Sequence, residues 1–323
     1  MDIFFLTLTQ MLMMFTFILI GFLLKKAKIL PEPSYLTMSR LETYVFVPAL
    51  TLSNWMENCT IDTLKENSSM ILYGLITVLL SIAAAYGLCR LFIPKTNNDP
   101  ELIYKRNIYK YAMAFGNYGF MGNFIVLGVW GSEGLFKFLM FTFCVALLCS
   151  SWGLFILIPK EKSGRHSFIS VLKKLLTPPM IALFVGLICG LLNVKDYVPT
   201  FFANALSNAS NCMGPVAMIL AGFVIGGYDL KELLTNKKVY GATFLRLIVL
   251  PAIIVLILKA FGVNDEITTL ALIAFGTPLG LNTIVYPAAY GGETKTGASM
   301  AMISHTLSVI TIPVMYLIFI VLL

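Results

Sequence analysis

The chain has 323 residues, of which 58% are hydrophobic and only 12% are charged, and its mean hydropathy is +0.86. This composition excludes an ordinary soluble domain, so we predict an integral membrane protein held in a lipid bilayer. The formal net charge of +7 would suit a nucleic-acid binder, but the basic residues collect in alternate loops. They are therefore a topology signal, and no nucleic-acid partner is expected.

Ten apolar runs approach or exceed the roughly 20 residues that a helix needs to cross a bilayer. Only Asp2 precedes the first run, and no small-residue cleavage site comes before Lys25, so this run is predicted to be retained. The expected fold is all-α, with ten transmembrane helices at residues 4–24, 37–56, 70–93, 108–130, 135–158, 179–194, 201–227, 239–262, 267–290 and 296–322.

The distribution of charge predicts the orientation in the membrane. Most lysines and arginines fall in the loops that follow odd-numbered spans, whereas the even loops hold only Lys65, Lys137, Lys195 and Lys259. By the positive-inside rule the odd loops are cytoplasmic, which places both termini outside. We expect a multi-pass protein of the cell (plasma) membrane.

Two apolar runs are interrupted in the same way, 160 positions apart. Ala-Phe-Gly at 114–116 recurs at 274–276, and Gly-x-Glu at 131–133 recurs at 291–293. Gly and Asn follow each Ala-Phe-Gly, together with Pro278 after the second, and a helix in lipid tolerates such breaks only where the freed backbone lines a protected, hydrated cavity. Paired broken helices at matching positions of two halves are typical of the binding site of a secondary transporter.

Further echoes extend the duplication along the chain. Pro48 and Pro215 lie 167 positions apart, and a Tyr-Gly pair repeats at the same offset. These motifs recur in the same order in both halves, and the offset between them changes once along the chain. They therefore predict two five-span repeats at residues 1–158 and 178–323, joined by a basic cytoplasmic connector at 159–177. Five is an odd number, so the repeats must have opposite orientations, with broken helices four and nine crossing.

The chain resembles the auxin efflux carrier family, which includes bacterial malate and organic-acid permeases and the plant PIN-type carriers. The resemblance covers the whole chain in ordered motifs, which are Phe-Val-Pro-Ala-Leu at 46–50, Gly-Asn-Tyr-Gly-Phe-Met-Gly at 116–122, Gly-Ser-Glu-Gly at 131–134, Met-Gly-Pro-Val-Ala at 213–217, Arg-Leu-Ile-Val-Leu-Pro at 246–251, Thr-Pro at 277–278 and Thr-Leu-Ser-Val-Ile-Thr-Ile-Pro at 306–313. It implies a ten-helix carrier of two inverted repeats, unwound in spans four and nine, and a homodimer. The family usually has a proline after the equivalent of Gly122, where this chain has Asn123.

Residues at the two breaks are the predicted substrate-binding residues. They are Asn117, Gly119 and Asn123 in the first break and Thr277, Pro278 and Asn282 in the second. Side-chain amides and freed backbone N–H groups can hydrogen-bond a ligand there, and half-helix N-termini carry partial positive charge that favours a carboxylate. The alternative is that these polar residues only cap the broken helices.

Three ionisable residues within or near the spans are further candidates. Arg246 would attract an organic anion and is added to the predicted substrate-binding set; alternatively it snorkels to the cytoplasmic interface or pairs with Glu42. His305, in the middle of span ten, and Glu42 are candidates for proton coupling. A neutral packing histidine and an interfacial ion pair between Glu42 and Arg40 are the alternatives. No cofactor is expected, although transport could be coupled to H+ or Na+.

Two repeated carboxylates and six cysteines suggest no metal site. Glu133 and Glu293 are predicted to lie in the first turns of the following helices, where Ser132 or Thr294 can cap and a carboxylate complements the helix dipole. The cysteines lack metal-ligand spacing, so they are predicted to be small apolar packing residues.

The predicted function is secondary active transport of a small organic anion, a malate-like or auxin-like mono- or dicarboxylate, by alternating access. The alternative is an anion channel that uses the unwound segments as its filter. An enzyme is not expected. Ser299 and His305 could suggest a catalytic dyad, but six residues along one helix turn their side chains in different directions.

Overall fold

The computed structural model describes residues 2–95, 99–159, 177–290 and 292–323. These residues form helices joined by short turns, with no β-strand among them, which confirms the all-α prediction. Nearly all of the predicted connector at 159–177 lies outside the described residues, as does Gly291 of the second Gly-x-Glu motif.

Sixteen α-helices follow one another in the described part of the chain. They are α1 (Asp2–Lys26), α2 (Ser34–Leu41), α3 (Val47–Asn58), α4 (Ile61–Glu66), α5 (Ser68–Phe92), α6 (Pro100–Ala114), α7 (Asn123–Leu148), α8 (Leu154–Leu157), α9 (Pro178–Leu191), α10 (Thr200–Gly226), α11 (Leu230–Leu234), α12 (Lys237–Phe244), α13 (Leu250–Ala260), α14 (Asp265–Gly276), α15 (Asn282–Tyr290) and α16 (Lys295–Tyr316). Wider π-helical turns at Glu42–Phe46, Cys149–Gly153 and Leu245–Val249 join α2 to α3, α7 to α8 and α12 to α13.

Several of these helices have the length and composition of membrane spans. In the described ranges, six continuous stretches are long and apolar enough to cross a bilayer: Phe4–Lys26, Ile61–Phe92, Tyr118–Leu157, Thr200–Gly226, Lys237–Ala260 and Lys295–Leu322. Helix α9 is a shorter apolar helix. The chain is therefore a multi-pass membrane protein, as predicted.

Predicted spans four and five are joined by continuous helix, except at one residue. Gly131 has φ 69° and ψ −163° and kinks the stretch that runs from Tyr118 to Leu157. A positive φ costs glycine little because it has no Cβ atom. The repeated Gly-x-Glu motif thus marks the kink between two helical segments in the first half of the chain.

Helix α6 begins earlier than the apolar pattern predicts. The run was expected to start at residue 108, but the helix starts at Pro100, where Asp99 accepts hydrogen bonds from the N–H groups of Glu101 and Leu102 at 2.9 and 3.2 Å. Hydropathy locates the apolar part of a helix, whereas an N-cap and a first-turn proline fix where the helix begins.

The two interrupted segments lie at the centre of the molecule. Residues 111–117 and 267–281 are buried without exception, and so are residues 296–305 at the start of α16. Buried aromatic residues surround them, including Tyr111, Phe115 and Phe275. The breaks are therefore shielded from lipid by the surrounding helices, as irregular backbone at membrane depth requires.

Candidate functional site

The two breaks contact each other directly through their backbones. The N–H group of Asn117 donates a hydrogen bond of 2.8 Å to the carbonyl oxygen of Pro278, and Gly116 and Leu279 form an isolated antiparallel bridge. A Cβ atom on Gly116 would lie 2.5 Å from Oγ1 and 2.8 Å from the carbonyl oxygen of Thr277. Only glycine permits so close an approach, so the first Ala-Phe-Gly motif serves this contact.

The second break has a local cause in the sequence. Thr277 precedes a proline, whose ring excludes helical backbone at the preceding residue, and Thr277 is extended with φ −65° and ψ 150°. In the first segment Phe115 is extended with φ −126° and ψ 133°. The freed N–H group of Leu279 donates to Oγ of Ser304 at 3.0 Å. Helix α16 therefore satisfies part of the second break.

A cavity of about 250 Å³ opens beside the joined breaks. Four of the predicted binding residues line it, namely Asn117, Gly119, Asn123 and Asn282, whereas Thr277 and Pro278 contribute only to the backbone joint behind it. Nothing lies within 4 Å of the place where a Cβ atom of Gly119 would project, so this glycine leaves room in the cavity wall. No Asp, Glu, Lys, Arg or His is found among the described residues lining the cavity.

The amide groups of two asparagines are held by partners from distant parts of the chain. Asn117 Nδ2 lies 3.2 Å from Nε2 of His305, and Asn282 Nδ2 donates to the hydroxyl of Tyr111 at 2.8 Å. The Tyr111 hydroxyl in turn lies 3.0 Å from Sγ of Cys149. Oδ1 of Asn123 is buried without a hydrogen-bond partner in the described part of the chain. The amides are thus positioned in the cavity wall rather than used only as helix caps.

Two helices begin at the wall of the cavity. The first helical bonds after the first break are accepted by the carbonyl of Asn117, so the N–H groups of Tyr118, Gly119 and Phe120 have no acceptor within their own helix. In the same way α15 begins at Asn282, and the cavity wall includes the residues just before it. Free N–H groups at a helix start carry partial positive charge.

Arg246 is fully buried beside the first break. Its Nη1 donates to the carbonyl oxygen of Met113 at 3.0 Å, and its guanidinium lies 5.7 Å from the ring centroid of Phe275. A Cβ atom on Gly116 would lie 2.6 Å from Nη2, so a single glycine separates the cation from the cavity. Both alternative interpretations, snorkelling to the interface and pairing with Glu42, are wrong because the side chain is turned into the core.

The two proton-coupling candidates have different surroundings. His305 is buried; its Nδ1 lies 2.7 Å from the carbonyl oxygen of Ala301 and its Nε2 contacts Asn117. Glu42 is also buried, and neither of its carboxylate oxygens has a partner among the described residues. The predicted ion pair with Arg40 is therefore wrong. Only His305 is connected to the cavity by a hydrogen bond.

Of the two repeated carboxylates, Glu293 caps a helix, although not as predicted, and Glu133 pairs with Lys137 at 3.1 Å. Glu293 itself accepts from the N–H group of Thr296 at 2.7 Å, so the cap comes from the carboxylate rather than from the Thr294 hydroxyl. Ser132 instead accepts from the amides of Asn54 and Asn58 at 3.1 and 3.0 Å. Its interpretation as a cap is wrong because those two amides use its oxygen.

A family profile described as "Membrane transport protein" matches residues 6–316. The chain belongs to the auxin efflux carrier-like family of membrane transport proteins. An uncharacterized transporter of Methanocaldococcus jannaschii is 23% identical over 303 residues, covering 91% of this chain and 93% of that relative. Another, from Methanothermobacter thermautotrophicus, is 24% identical over 256 residues, covering 78% and 80%. The resemblance inferred from the motifs is confirmed, and membership indicates transport rather than catalysis.

The serine and histidine that could suggest an enzyme do not meet in this transporter. The Ser299 hydroxyl donates to the carbonyl oxygen of Leu233, and both ring nitrogens of His305 have other partners, Ala301 and Asn117. A nucleophile and its base need to be within hydrogen-bond reach. Both side chains instead take part in packing and positioning.

Sequence reasoning missed three residues of the candidate site. Tyr111 holds Asn282, and Cys149 and Tyr286 line the cavity. Tyr111 lies six residues before Asn117 on α6, the helix that leads into the first break. A polar side chain so close to the break could have been recognised in the sequence as a candidate site residue. Cys149 carried none, because a cysteine in an apolar span is usually a packing residue.

Proposed function

We propose that this transporter is a secondary active carrier that moves a small organic anion, a mono- or dicarboxylate, across the cell membrane by alternating access. The observation that carries the proposal is the antiparallel contact of the two breaks beside one cavity that receives two helix starts. Each start contributes a partial charge of about +0.5. Arg246 adds a full charge behind Gly116, and no acidic group lines the wall in the described residues, so the field favours an anion.

The framework of the proposal is a ten-span inverted repeat with crossover helices four and nine. Residues 116 and 276 are equivalent at the 160-residue offset, and a pseudo-two-fold axis in the membrane plane relates equivalent segments in antiparallel fashion. The antiparallel bridge between Gly116 and Leu279 supports this arrangement. We further propose that the transporter is a homodimer in the cell membrane with both termini outside. Transport would be coupled to H+ or Na+.

The size of the cavity supports a small substrate. Pockets for drug-sized ligands measure roughly 300–1,000 Å³, whereas this one measures about 250 Å³. The amide N–H groups of Asn117 and Asn282, once turned away from His305 and Tyr111, and the freed N–H groups of the helix starts can surround one carboxylate. Apolar residues such as Leu139 and Leu183 line the remainder of the cavity. A substrate with a short carbon chain and one or two carboxylates fits a cavity with one polar and one apolar part of its wall.

Uptake of radiolabelled malate into proteoliposomes tests the proposal. Asn117→Ala and Asn282→Ala should each weaken saturable uptake about 10- to 150-fold, because a hydrogen bond to a charged group is worth about 1.5–3 kcal/mol. Asn208→Ala is the matched control, because Asn208 is exposed on α10 and lines no part of the cavity. Wild-type uptake by both cavity variants, or preference for cationic amines, would contradict the assignment.

The same vesicles distinguish a carrier from an anion channel. A carrier that alternates between two states accelerates tracer entry when the vesicles are preloaded with unlabelled malate, and its rate saturates. With the membrane potential held near zero by K+ and valinomycin, a channel gives no such acceleration. The contact between the breaks favours a carrier, because two half-helices that meet in the middle of the protein close the route that a filter would leave open.

A further inference from the structure

With the Asn117 amide oriented as in this structure, the hydrogen bonds of His305 fit one tautomer of the imidazole. Nδ1 lies 2.7 Å from the carbonyl oxygen of Ala301, and because a carbonyl can only accept, Nδ1 must be the donor. Nε2 lies 3.2 Å from Nδ2 of Asn117, and because an amide nitrogen can only donate, Nε2 must be the acceptor. Both bonds form together only in the neutral imidazole with its proton on Nδ1.

The other orientation of the same amide corresponds to a second protonation state. When His305 is protonated, both ring nitrogens donate, so Nε2 requires an acceptor. Rotation of the Asn117 amide by 180° supplies its Oδ1 and leaves the bond from Nδ1 to Ala301 unchanged. The orientation of one amide and the protonation of one imidazole are therefore linked.

The free end of that amide faces the cavity. Oδ1 of Asn117 has no hydrogen-bond partner among the described residues and is not one of the fully buried unpaired atoms, while Asn117 lines the cavity. When His305 is neutral, the amide presents its Oδ1 acceptor to the cavity, and this oxygen repels a carboxylate. With protonated His305 it offers the Nδ2 donor, which binds one.

The surroundings leave His305 without a competing charge partner. No carboxylate in the described ranges lies within 4.0 Å of the imidazole. Two elements packed against α16 carry ionisable groups in its surroundings. Arg246, in the turn between α12 and α13, lies beside Gly116. Tyr240, on α12, lines an apolar groove together with His305. The other ionisable groups on the packed elements are engaged elsewhere or lie near helix ends, among them Lys25, Lys26, Tyr104, Lys110, Tyr111, Glu232, Asp265, Glu266 and Lys295.

We infer that His305 is a positioning residue that couples one proton to each bound carboxylate by turning the Asn117 amide. This inference rests on the proposed function, because it assumes a carboxylate in the cavity. Proton uptake at Nε2 makes Nδ2 of Asn117 available to the substrate, and a bound carboxylate holds that orientation and so retains the proton. The linkage is reciprocal, so malate affinity falls about tenfold per pH unit wherever apo His305 is neutral.

Nitrogen-15 NMR of histidine-labelled protein observes the switch itself. The chain has two histidines, so His166→Gln leaves one signal pair, from His305. Without ligand at high pH, Nε2 should be unprotonated and Nδ1 protonated. Addition of malate at fixed pH should convert the ring to the doubly protonated form, and the titration midpoint should move upward. Malate binding with no change in the ring signals would overturn the inference while leaving the proposed function intact.

Failure of malate to bind would contradict the proposed function for this probe. A ligand-free experiment therefore tests the link between His305 and Asn117 separately. Asn117→Asp provides a carboxylate that can only accept, so apo His305 should stay protonated to higher pH than in the wild type. Asn123→Asp adds the same charge to the same cavity without contacting His305 and should move the midpoint less. Equal midpoints in the two variants would overturn the linkage.

Transport measurements complete the test. His305→Gln places a neutral amide near the position of Nε2, so malate uptake should persist but lose its dependence on an imposed inward proton gradient. Wild-type uptake should be accelerated by that gradient and unaffected by a sodium gradient. Gradient-driven uptake that survives in His305→Gln would contradict the role of His305.

Discussion

The guanidinium of Arg246 donates a hydrogen bond of 3.0 Å to the carbonyl oxygen of Met113, one residue before α6 ends at Ala114. The last carbonyl groups of a helix have no partner inside it, and a cation there is worth about 0.3–2 kcal/mol. Ser81 also donates to this end, at 3.0 Å from the Ala114 oxygen. Arg246 thus stabilises the end of α6 at the first break, and its proposed second role is to bring a positive charge close to the cavity.

Replacing Arg246 should separate these two roles. Arg246→Gln retains a donor for Met113 but removes the charge, so we expect a folded protein whose malate Kd increases at least tenfold. Arg246→Lys retains the charge and should bind malate more tightly than the Gln variant. Isothermal titration calorimetry on detergent-purified protein measures both. Equal malate affinity in the Gln variant and the wild type would show that the charge does not act on the site.

Two glycines of the first break should respond differently to the same added methyl group. Gly116→Ala would place a Cβ atom 2.5 Å from Oγ1 of Thr277, so the contact between the breaks should open. We expect the free energy of unfolding to decrease by about 1–3 kcal/mol and the melting temperature to fall. Gly119→Ala meets nothing within 4 Å, so it should fold normally but reduce malate affinity by occupying the cavity. Gly87→Ala, also unobstructed but on α5 away from the cavity, is the control. Thermal unfolding and uptake would be compared across the three variants.

Cysteine accessibility should report the cavity. Cys149 lines it and contacts Tyr111, whereas Cys144 lies five residues earlier on the same helical stretch and lines no part of it. In single-cysteine proteins, a small membrane-permeant methanethiosulfonate should block uptake through Cys149 but not through Cys144, and malate should slow the reaction. Labelling of Cys149 that malate does not affect would place the substrate elsewhere.

The charge asymmetry of the loops makes a topology prediction. In a cysteine-free background, a cysteine at Asp62 should react with an impermeant thiol reagent from outside intact cells, and a cysteine at Lys162 should not. Permeabilised cells should label at both positions, which controls for reactivity. Outside labelling at both positions would contradict the orientation with termini outside.

The breaks could be predicted from the sequence because their cause is local. Proline at 278 disfavours helical backbone at Thr277, and glycine at 116 lowers the helix propensity of the other apolar run. Family motifs surround both positions. The partners of Arg246 and Asn117 could not be predicted, since Met113 and His305 lie 133 and 188 positions away from them. Such contacts depend on how helices pack, which hydropathy does not encode.

The same limit explains the incorrect expectations. Arg40 was the obvious partner for Glu42 in the sequence, but two residues apart on a helix do not share a face, and Glu42 turns into the core. Helix starts were predicted too late wherever charged residues extend beyond the apolar run, as at Pro100. Local chemistry predicted where the chain breaks, and tertiary packing decided what each break contacts.

The joint between the two halves consists of main-chain atoms, with the N–H group of Asn117 bonded to the oxygen of Pro278. Such a joint does not depend on which side chain residue 117 or 123 carries. Evolution can therefore change what the cavity recognises without weakening the crossing point, provided that residue 116 stays glycine. Asn123 stands where the family resemblance leads us to expect a proline, and it adds an amide to the cavity wall.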